Sequence, residues 1–422
     1  MSHTQIIQNQ ISGQRQYDFV AKFNYIREAG TDAEKRAADT ICRELETFGL
    51  NGRIETFTLP VPVIQTAGLT VTAPYQKEYT VTGCGFCGNT PEEGLEAEFL
   101  YVENADAISL REAKDKIIMV NSPVRGEMYQ RLRNSGALGF LSISGSPLDT
   151  GDKRIPAPYC LPNHPLTSFM PGASIHYLDA AELIARNVSR VRLTAIQSHT
   201  LHTSANVAVR IEGTDRKEDI LTVTAHYDSV PAGPGAYDNM AGCAIVMELC
   251  RYFQAHPPRR TMEFVWFGGE EKGMLGSAAY VKTHKDELNR HRFNMNIDLA
   301  GQAIGGNVIG LTADASAIGL LEALGAKSGI GMSVKHNVWS SDSNTFAWKR
   351  IPSMTLNRDG FGMHTEHDTI ALISPWSLKR SAVLLGTIAE ALAWEDEFPI
   401  SREIPEEFLK KLDMQFERFS WG

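Results

Sequence analysis

The chain has 422 residues, of which 43% are hydrophobic and 22% charged. That is a globular composition, too apolar for disorder, with room for one to three domains at roughly 150 residues each. Its 41 basic residues against 50 acidic ones give a formal net charge of -9, which argues against a general nucleic-acid or anionic-membrane surface, since both require excess positive charge.

No apolar run approaches the roughly 18 residues of a membrane span. The polar start Met1-Ser2-His3-Thr4-Gln5 lacks the basic and apolar regions of a secretory signal, so a cytoplasmic location is expected. The cysteines, at 42, 84, 87, 160, 243 and 250, are too sparse for a disulfide scaffold and are expected to be mostly reduced.

In chain order, residues 12 to 50 read as helical: Gly30-Thr31-Asp32-Ala33-Glu34 supplies a cap, and Ala37, Ala38, Ile41 and Leu45 recur at helical spacing before Gly49. After Pro60 and Pro62 the texture changes. Short β-branched runs, such as 69–72, 98–102 and 116–120, alternate with Gly and Pro to about Ser198, with one helical stretch from Met128 to Ser135. This predicts a strand-rich module, residues 66–199, inserted into a domain made of 1–65 and 200–422. From about Asn206 the rhythm becomes strand, loop, helix: strands at 221–226, 262–267, 293–299, 307–311 and 351–356, helices from Asn239 and through Tyr280, and a closing helix from Ser377 to Trp394. Such alternation predicts a three-layer α/β domain with a mostly parallel central sheet. Ile404 to Trp421 is amphipathic through Phe408, Leu412, Phe416 and Phe419 and is expected to pack on the body or on a partner subunit.

In open α/β sheets, ligands sit outside the carboxyl ends of the strands. His226 and Asp228 end the first of these strands, Asp238 precedes the helix after it, Glu270 and Glu271 follow the second, Asp298 ends the third, and His364 lies in the loop after the fifth. Taken singly, each reads as a cap, a turn residue or a surface group, and Asp238-Asn239 and Glu270-Glu271 suit helix starts. Taken together they form a nitrogen and oxygen donor set for a first-row divalent metal. Five ligands, His226, Asp238, Glu271, Asp298 and His364, exceed what one catalytic zinc with an open position needs. If Asp238 bridges, each of two ions receives three protein ligands and both act on one water. Glu270, beside a ligand but pointing elsewhere, suits a general base. Asp228 lies two residues from His226, on the same strand face, and is placed to orient the imidazole.

Ala225-His226-Tyr227-Asp228, Gly235-Ala236-Tyr237-Asp238-Asn239-Met240-Ala241-Gly242, Phe267-Gly268-Gly269-Glu270-Glu271, Asn296-Ile297-Asp298 and His364-Thr365-Glu366-His367-Asp368-Thr369, in this order, resemble the M28 family of dinuclear zinc peptidases. The resemblance implies two zinc ions per chain, with His226 and Asp298 on one, Glu271 and His364 on the other, Asp238 bridging and Glu270 as base. Residues 27 to 50 resemble that family's N-terminal helix. The insert is similar to a protease-associated domain, through Asp115-Lys116-Ile117-Ile118-Met119-Val120 and Asn134-Ser135-Gly136-Ala137-Leu138-Gly139.

There are departures. Many members carry Tyr just before the last His ligand, where this chain has Met363, and Ser341-Asp342-Ser343-Asn344 resembles a Ser-Asp-His element with Ser343 for His. Arg358, if it faces the pocket, pairs with a substrate carboxylate; otherwise it is a surface loop arginine. Cys84-Gly85-Phe86-Cys87 has metal or redox spacing without a second pair and reads as a turn of the insert. His336 and His367 read as structural or exposed, and Asn187-Val188-Ser189 is a glycosylation sequon in spelling only.

The expected activity is that of a zinc-dependent exopeptidase, foremost an aminopeptidase acting on peptides or small amide conjugates through a metal-activated hydroxide with Glu270 as general base. Three alternatives stand beside it: a carboxypeptidase or dipeptidase using Arg358, a glutaminyl-cyclase-like aminoacyltransferase with one zinc, and a binding module without catalysis. The expected partner is the peptide or amide substrate, with no nucleic acid or membrane and with a homo-oligomer open.

Overall fold

The computed structural model describes residues 3–124, 126–149, 151, 154, 156 and 170–416. Cys160, Phe419 and Trp421 lie outside them. The described residues divide into two compact units, one running to Leu59 and resuming at His202, the other Pro60–Leu201.

The first unit is built on a sheet whose four central strands, Ser353–Arg358, His291–Ile297, Arg216–His226 and Arg260–Phe267, run parallel in that spatial order. Asn307–Thr312 adds antiparallel beside Ser353–Arg358, and Met332–His336 pairs parallel with it at the edge. On the other side, residues 207–211 of the strand Arg190–Ile211 run antiparallel to Arg260–Phe267. The central strands are buried on both faces: Leu221, Val223, Ala225, Phe293, Met295, Met354 and Leu356 line the apolar core on one, while Thr222, Thr224, Asn294, Asn296 and Thr355 are buried polar residues on the other. From Arg260–Phe267, Met262, Phe264 and Trp266 enter the core shared with the helices Ala241–Ala255 and Pro375–Trp394. Val265 and Phe267 pack on the opposite face with Tyr280 and Phe346. The result is a three-layer α/β unit with a mostly parallel centre.

Two details differ from the sequence reading. The stretch 12 to 50 is not one helix: Gly13–Val20 and Asp32–Glu46 are separated by a 3-10 turn at Ala21–Phe23 and an irregular run through Gly30. Thr31 starts the second helix by accepting the Glu34 N–H at 3.3 Å, while the Glu34 carboxylate takes the Gly30 N–H at 2.7 Å, a reciprocal cap that lets the chain turn before it. The edge strand Met332–His336 escaped notice because it is short, and its alternation rests on two apolar residues, Met332 and Val334, that are only partly buried.

The second unit holds four parallel strands, Leu95–Tyr101, Lys116–Val120, Gly139–Ser144 and Gly172–His176, flanked by antiparallel pairing with residues 190–193 and with Val81–Gly83. Among the described residues it contains two α-helices, Gly126–Asn134 and Tyr177–Ala185, where the sequence reading found one. Cys84 to Cys87 forms a turn held by Gln197, whose amide accepts the Phe86 N–H at 2.8 Å and donates to Cys84 O at 2.9 Å. Cys42, Cys84, Cys243 and Cys250 are free thiols.

The helix Glu406–Phe416 packs on the body of its own unit: Phe408, Leu412 and Phe416 are buried, and Phe416 stacks on Trp348 with ring centroids 5.1 Å apart. Among the described residues no helix is long and apolar enough to cross a membrane.

The turn leaving Phe267 is pressed onto the helix Leu275–Thr283. Asn206 ties them together, donating to Gly276 O at 2.8 Å and accepting the Gly268 N–H at 3.3 Å. A Cβ at Gly276 would lie 2.1 Å from Gly268 O and 2.5 Å from Asn206 Oδ1. Gly276→Ala is therefore expected to destabilise the protein by about 1–3 kcal/mol through overpacking. The denaturation midpoint reports it; an unchanged midpoint would contradict so close an approach.

Candidate metal centre

The sequence-predicted polar residues gather at the carboxyl ends of the parallel strands. His226 is the last residue of Arg216–His226, Asp298 follows His291–Ile297 directly, and Glu270 and Glu271 follow Phe267 after the Gly268-Gly269 turn. Gly269 has φ +69, a left-handed geometry that suits glycine and reverses the chain so that both glutamates follow immediately. His364 lies beyond Ser353–Arg358 with φ 59. Asp238 sits in the turn Ala236–Met240 ahead of the helix Ala241–Ala255, and its peptide bond to Asn239 is cis.

Asp238 stands at the middle. One carboxylate oxygen lies 3.1 Å from His226 Nε2, and the other lies 3.1 Å from His364 Nε2. His226 Nε2 is also 3.5 Å from Asp298 Oδ1, and His364 Nε2 is 3.2 Å from Glu271 Oε2. Two groups of potential ligands result, His226 with Asp238 and Asp298, and Asp238 with Glu271 and His364. Ligand atoms held tetrahedrally at about 2.0–2.2 Å from an ion are about 3.4 Å apart, so the observed spacings fit a divalent cation in each group. Glu271 Oε1 is buried without a hydrogen-bond partner among the described residues, another sign that the pocket suits a cation.

The electrostatics agree. Burial pushes Glu270 well above the ordinary carboxyl range and raises Glu271 to about 7. Burial likewise raises Asp342 to about 7, with Asp298 and Asp228 adding to the push. Asp238 is held low against burial by hydrogen bonds from His226 and His364. Burial alone would depress His364, but Asp238 and Glu271 raise it to about 11. In the metal-free chain protons thus do the charge compensation that cations would otherwise supply.

Supporting contacts hold each group. Asp228 Oδ1 is 3.4 Å from His226 Nδ1, a ring nitrogen with no hydrogen bond of its own among the described residues. The Asp228 oxygens accept the main-chain N–H groups of Glu270 at 3.0 Å and Glu271 at 3.2 Å, so this residue clamps the glutamate turn. Ser341 donates to Asp298 Oδ2 at 2.6 Å and accepts from Asn296 Nδ2 at 2.7 Å. The sequence reading missed Asp368, which accepts the Tyr237 N–H at 2.6 Å and the Asp238 N–H at 3.0 Å; burial raises its carboxyl to about 6. Its signal was its place in His364-Thr365-Glu366-His367-Asp368, read there for the histidine alone.

Arg358 does not present itself as a carboxylate anchor. Its guanidinium is buried and donates to Gln302 O at 2.7 Å, Ala303 O at 3.0 Å and Asn307 Oδ1 at 3.3 Å. Those bonds hold it as a brace for the loop after Asp298. Met363 and His367 are exposed, and His336 meets Ala313 O at 2.8 Å.

The sequence model of peptidase family M28 matches residues 206–389. Aminopeptidase YwaD of Bacillus subtilis (strain 168) is 28% identical over 287 residues, 65% of this chain and 58% of its own length. Carboxypeptidase Q of Xenopus laevis is 30% identical over 245 residues, 54% of this chain and 50% of its own, and that of Bos taurus is 25% identical over 409 residues, 87% and 82%. The match thus spans little more than half the length of the first two relatives. The zinc aminopeptidase BSAP from Bacillus subtilis superposes with TM-score 0.75 at 23% identity, covering 94% of this chain and 99% of that one. A peptidase M28 precursor from Shewanella amazonensis SB2B gives 0.76 at 23%, covering 95% and 98%. At these identities the structures establish a shared fold.

The raised groups set a pH dependence for the metal-free protein. Glu271, Asp342 and His364 all bind protons more tightly folded than unfolded, so the stability they contribute is full at low pH. The carboxyl contribution is lost as pH rises toward about 7, and that of His364 at higher pH still. Chelator-treated protein should therefore lose thermal stability between about pH 5 and 8 from these groups. Protein with excess divalent metal should gain relative to it, because ligands must deprotonate to bind. Paired melting curves measure this; a metal effect that shrinks as pH rises would contradict it.

Proposed function

Since residues 206–389 belong to peptidase family M28, we propose that this chain is a zinc-dependent aminopeptidase that removes N-terminal residues from peptides or small amide conjugates. The observation that carries the reading is Asp238, whose two oxygens each stand 3.1 Å from a different histidine and so join two ligand groups. In this reading His226, Asp238 and Asp298 hold one zinc ion, and Asp238, Glu271 and His364 hold a second. Bound zinc supplies a Lewis acid for the scissile carbonyl and lowers the pKa of water. Glu270 takes the proton from the attacking water on its carboxylate and delivers it to the departing amine. Its burial among Asp298, Asp342 and Glu271 raises its proton affinity, which suits a base that must also act as an acid. Asp228 holds the Glu270 main chain in place for that task.

The relatives named aminopeptidases support the N-terminal preference. Those named carboxypeptidase Q give the second reading, a carboxypeptidase or dipeptidase, for which Arg358 offers little while it braces a loop. The two ligand groups weigh against a one-zinc aminoacyltransferase. The motifs of residues 66–199 support their assignment to a protease-associated domain, with 1–65 and 200–422 as the peptidase domain.

Glu270→Gln is expected to lower kcat by about 10²–10⁴-fold while zinc content by elemental analysis stays at the wild-type value; full activity would end the base assignment. N-acetylation of a peptide substrate should abolish cleavage, and C-terminal amidation should leave it intact. The reverse pattern would transfer the protein to the carboxypeptidase class.

A further inference from the structure

Arg27 is fully buried, and hydrogen bonds account for its guanidinium. Nε donates to Tyr227 O at 2.8 Å, NH1 donates to Phe23 O and Tyr25 O at 2.9 Å each and also to Pro234 O, and NH2 donates to Gly235 O at 3.3 Å. Its main chain joins the same loop: the Arg27 N–H donates to Ser229 Oγ at 2.9 Å, and the Ser229 N–H donates to Arg27 O at 3.2 Å. Every side-chain acceptor is a carbonyl, while Asp228 and Asp368 act on its charge without forming an ion pair. Burying a cation is costly without compensation, and here carbonyl dipoles supply it in place of a contacting carboxylate.

The place of those carbonyls gives the cluster a purpose. Tyr227 directly follows His226, and Gly235 lies three residues before Asp238. Arg27 thus draws together the two ends of the loop that joins these residues, and its main chain adds a second hold near the start of the loop at Ser229. Asp238 belongs to both ligand groups, so the path of this loop sets its position relative to His226 and, through it, relative to His364 and Glu271.

We propose that Arg27 is a positioning residue for the metal centre: its guanidinium fixes the 227–235 loop so that His226 and Asp238 hold their spacing before metal arrives. This rests on the dinuclear zinc reading given above. Lysine cannot replace it, because one ammonium reaches neither the span nor the fork geometry of these carbonyls.

Arg260 provides a matched control. It too is buried and donates to carbonyls, Leu392 O at 3.1 Å and Glu395 O at 2.6 Å, with Asp219 as an added partner. It opens the strand Arg260–Phe267, at the end opposite the one from which Glu270 and Glu271 follow. Zinc affinity by chelator competition and metal-free stability by denaturation would be measured for the wild type, Arg27→Lys, Ser229→Ala and Arg260→Lys.

Arg27→Lys should weaken zinc binding about 10–100-fold, the range for a residue that supports ligands from behind. Ser229→Ala should weaken it less, and Arg260→Lys should lower stability alone. Wild-type zinc affinity in Arg27→Lys, or an equal loss in Arg260→Lys, overturns the proposal while leaving the dinuclear reading intact. If Arg27→Lys does not fold, Ser229→Ala decides: weakened binding supports the role and wild-type binding rejects it. A wild-type protein that binds no zinc removes the parent reading, and this one with it.

Discussion

The governing constraint is the repulsion among acidic groups brought to one edge of a sheet. Asp228, Asp238, Glu270, Glu271, Asp298 and Asp342 share a region with the imidazoles of His226 and His364. Desolvated carboxylates so close together repel one another unless positive charge lies among them. Much of the surrounding structure counters their tendency to separate. Asp368 grips the main chain of Asp238, Asp228 grips that of both glutamates, and Ser341 holds one oxygen of Asp298. Each of these contacts anchors backbone or one oxygen and leaves other ligand atoms facing the cavity.

The parallel sheet makes the arrangement economical. Four neighbouring strands end on the same side, so a residue placed just after each strand reaches a common point without a long loop. These strands are buried on both faces towards their carboxyl ends, which fixes their depth and leaves little freedom for the ends to drift. The two glutamates exploit a second device. Consecutive residues on a tight turn project differently, so Glu271 faces His364 while Glu270 lies toward His226, Asp298 and Asp342.

What the sequence made legible follows from the range of the interactions. Strand ends and helix starts are local patterns, so His226, Asp298 and the Glu270-Glu271 pair could be placed at sheet edges from their neighbours alone. Asp368 stood in the motif of His364, but its role was not legible there, because its partners are main-chain N–H groups of Tyr237 and Asp238, far away in the chain. The surroundings of Arg358 were equally out of reach: nearness to His364 in the chain suggested the cavity, whereas its guanidinium donates to carbonyls at Gln302 and Ala303. The break between Gly13–Val20 and Asp32–Glu46 was missed because the apolar spacing on either side is helical, and the sequence reading placed the cap at Gly30-Thr31 within one helical stretch.

The strand Ser353–Arg358 carries a consequence for how the protein comes into being. It follows His291–Ile297 and Asn307–Thr312 in the chain yet lies between them in the sheet. Both neighbours therefore leave the ribosome before the strand that must separate them, and they have no pairing with each other to keep. Asp298 is affected directly, since its N–H finds its carbonyl at Leu356, and His364 is synthesised later still. A growing chain consequently carries most of its acidic groups before it has the wall that orders them. The centre is completed at a late stage of synthesis, and any product ending before residue 353 is a sheet with its middle missing.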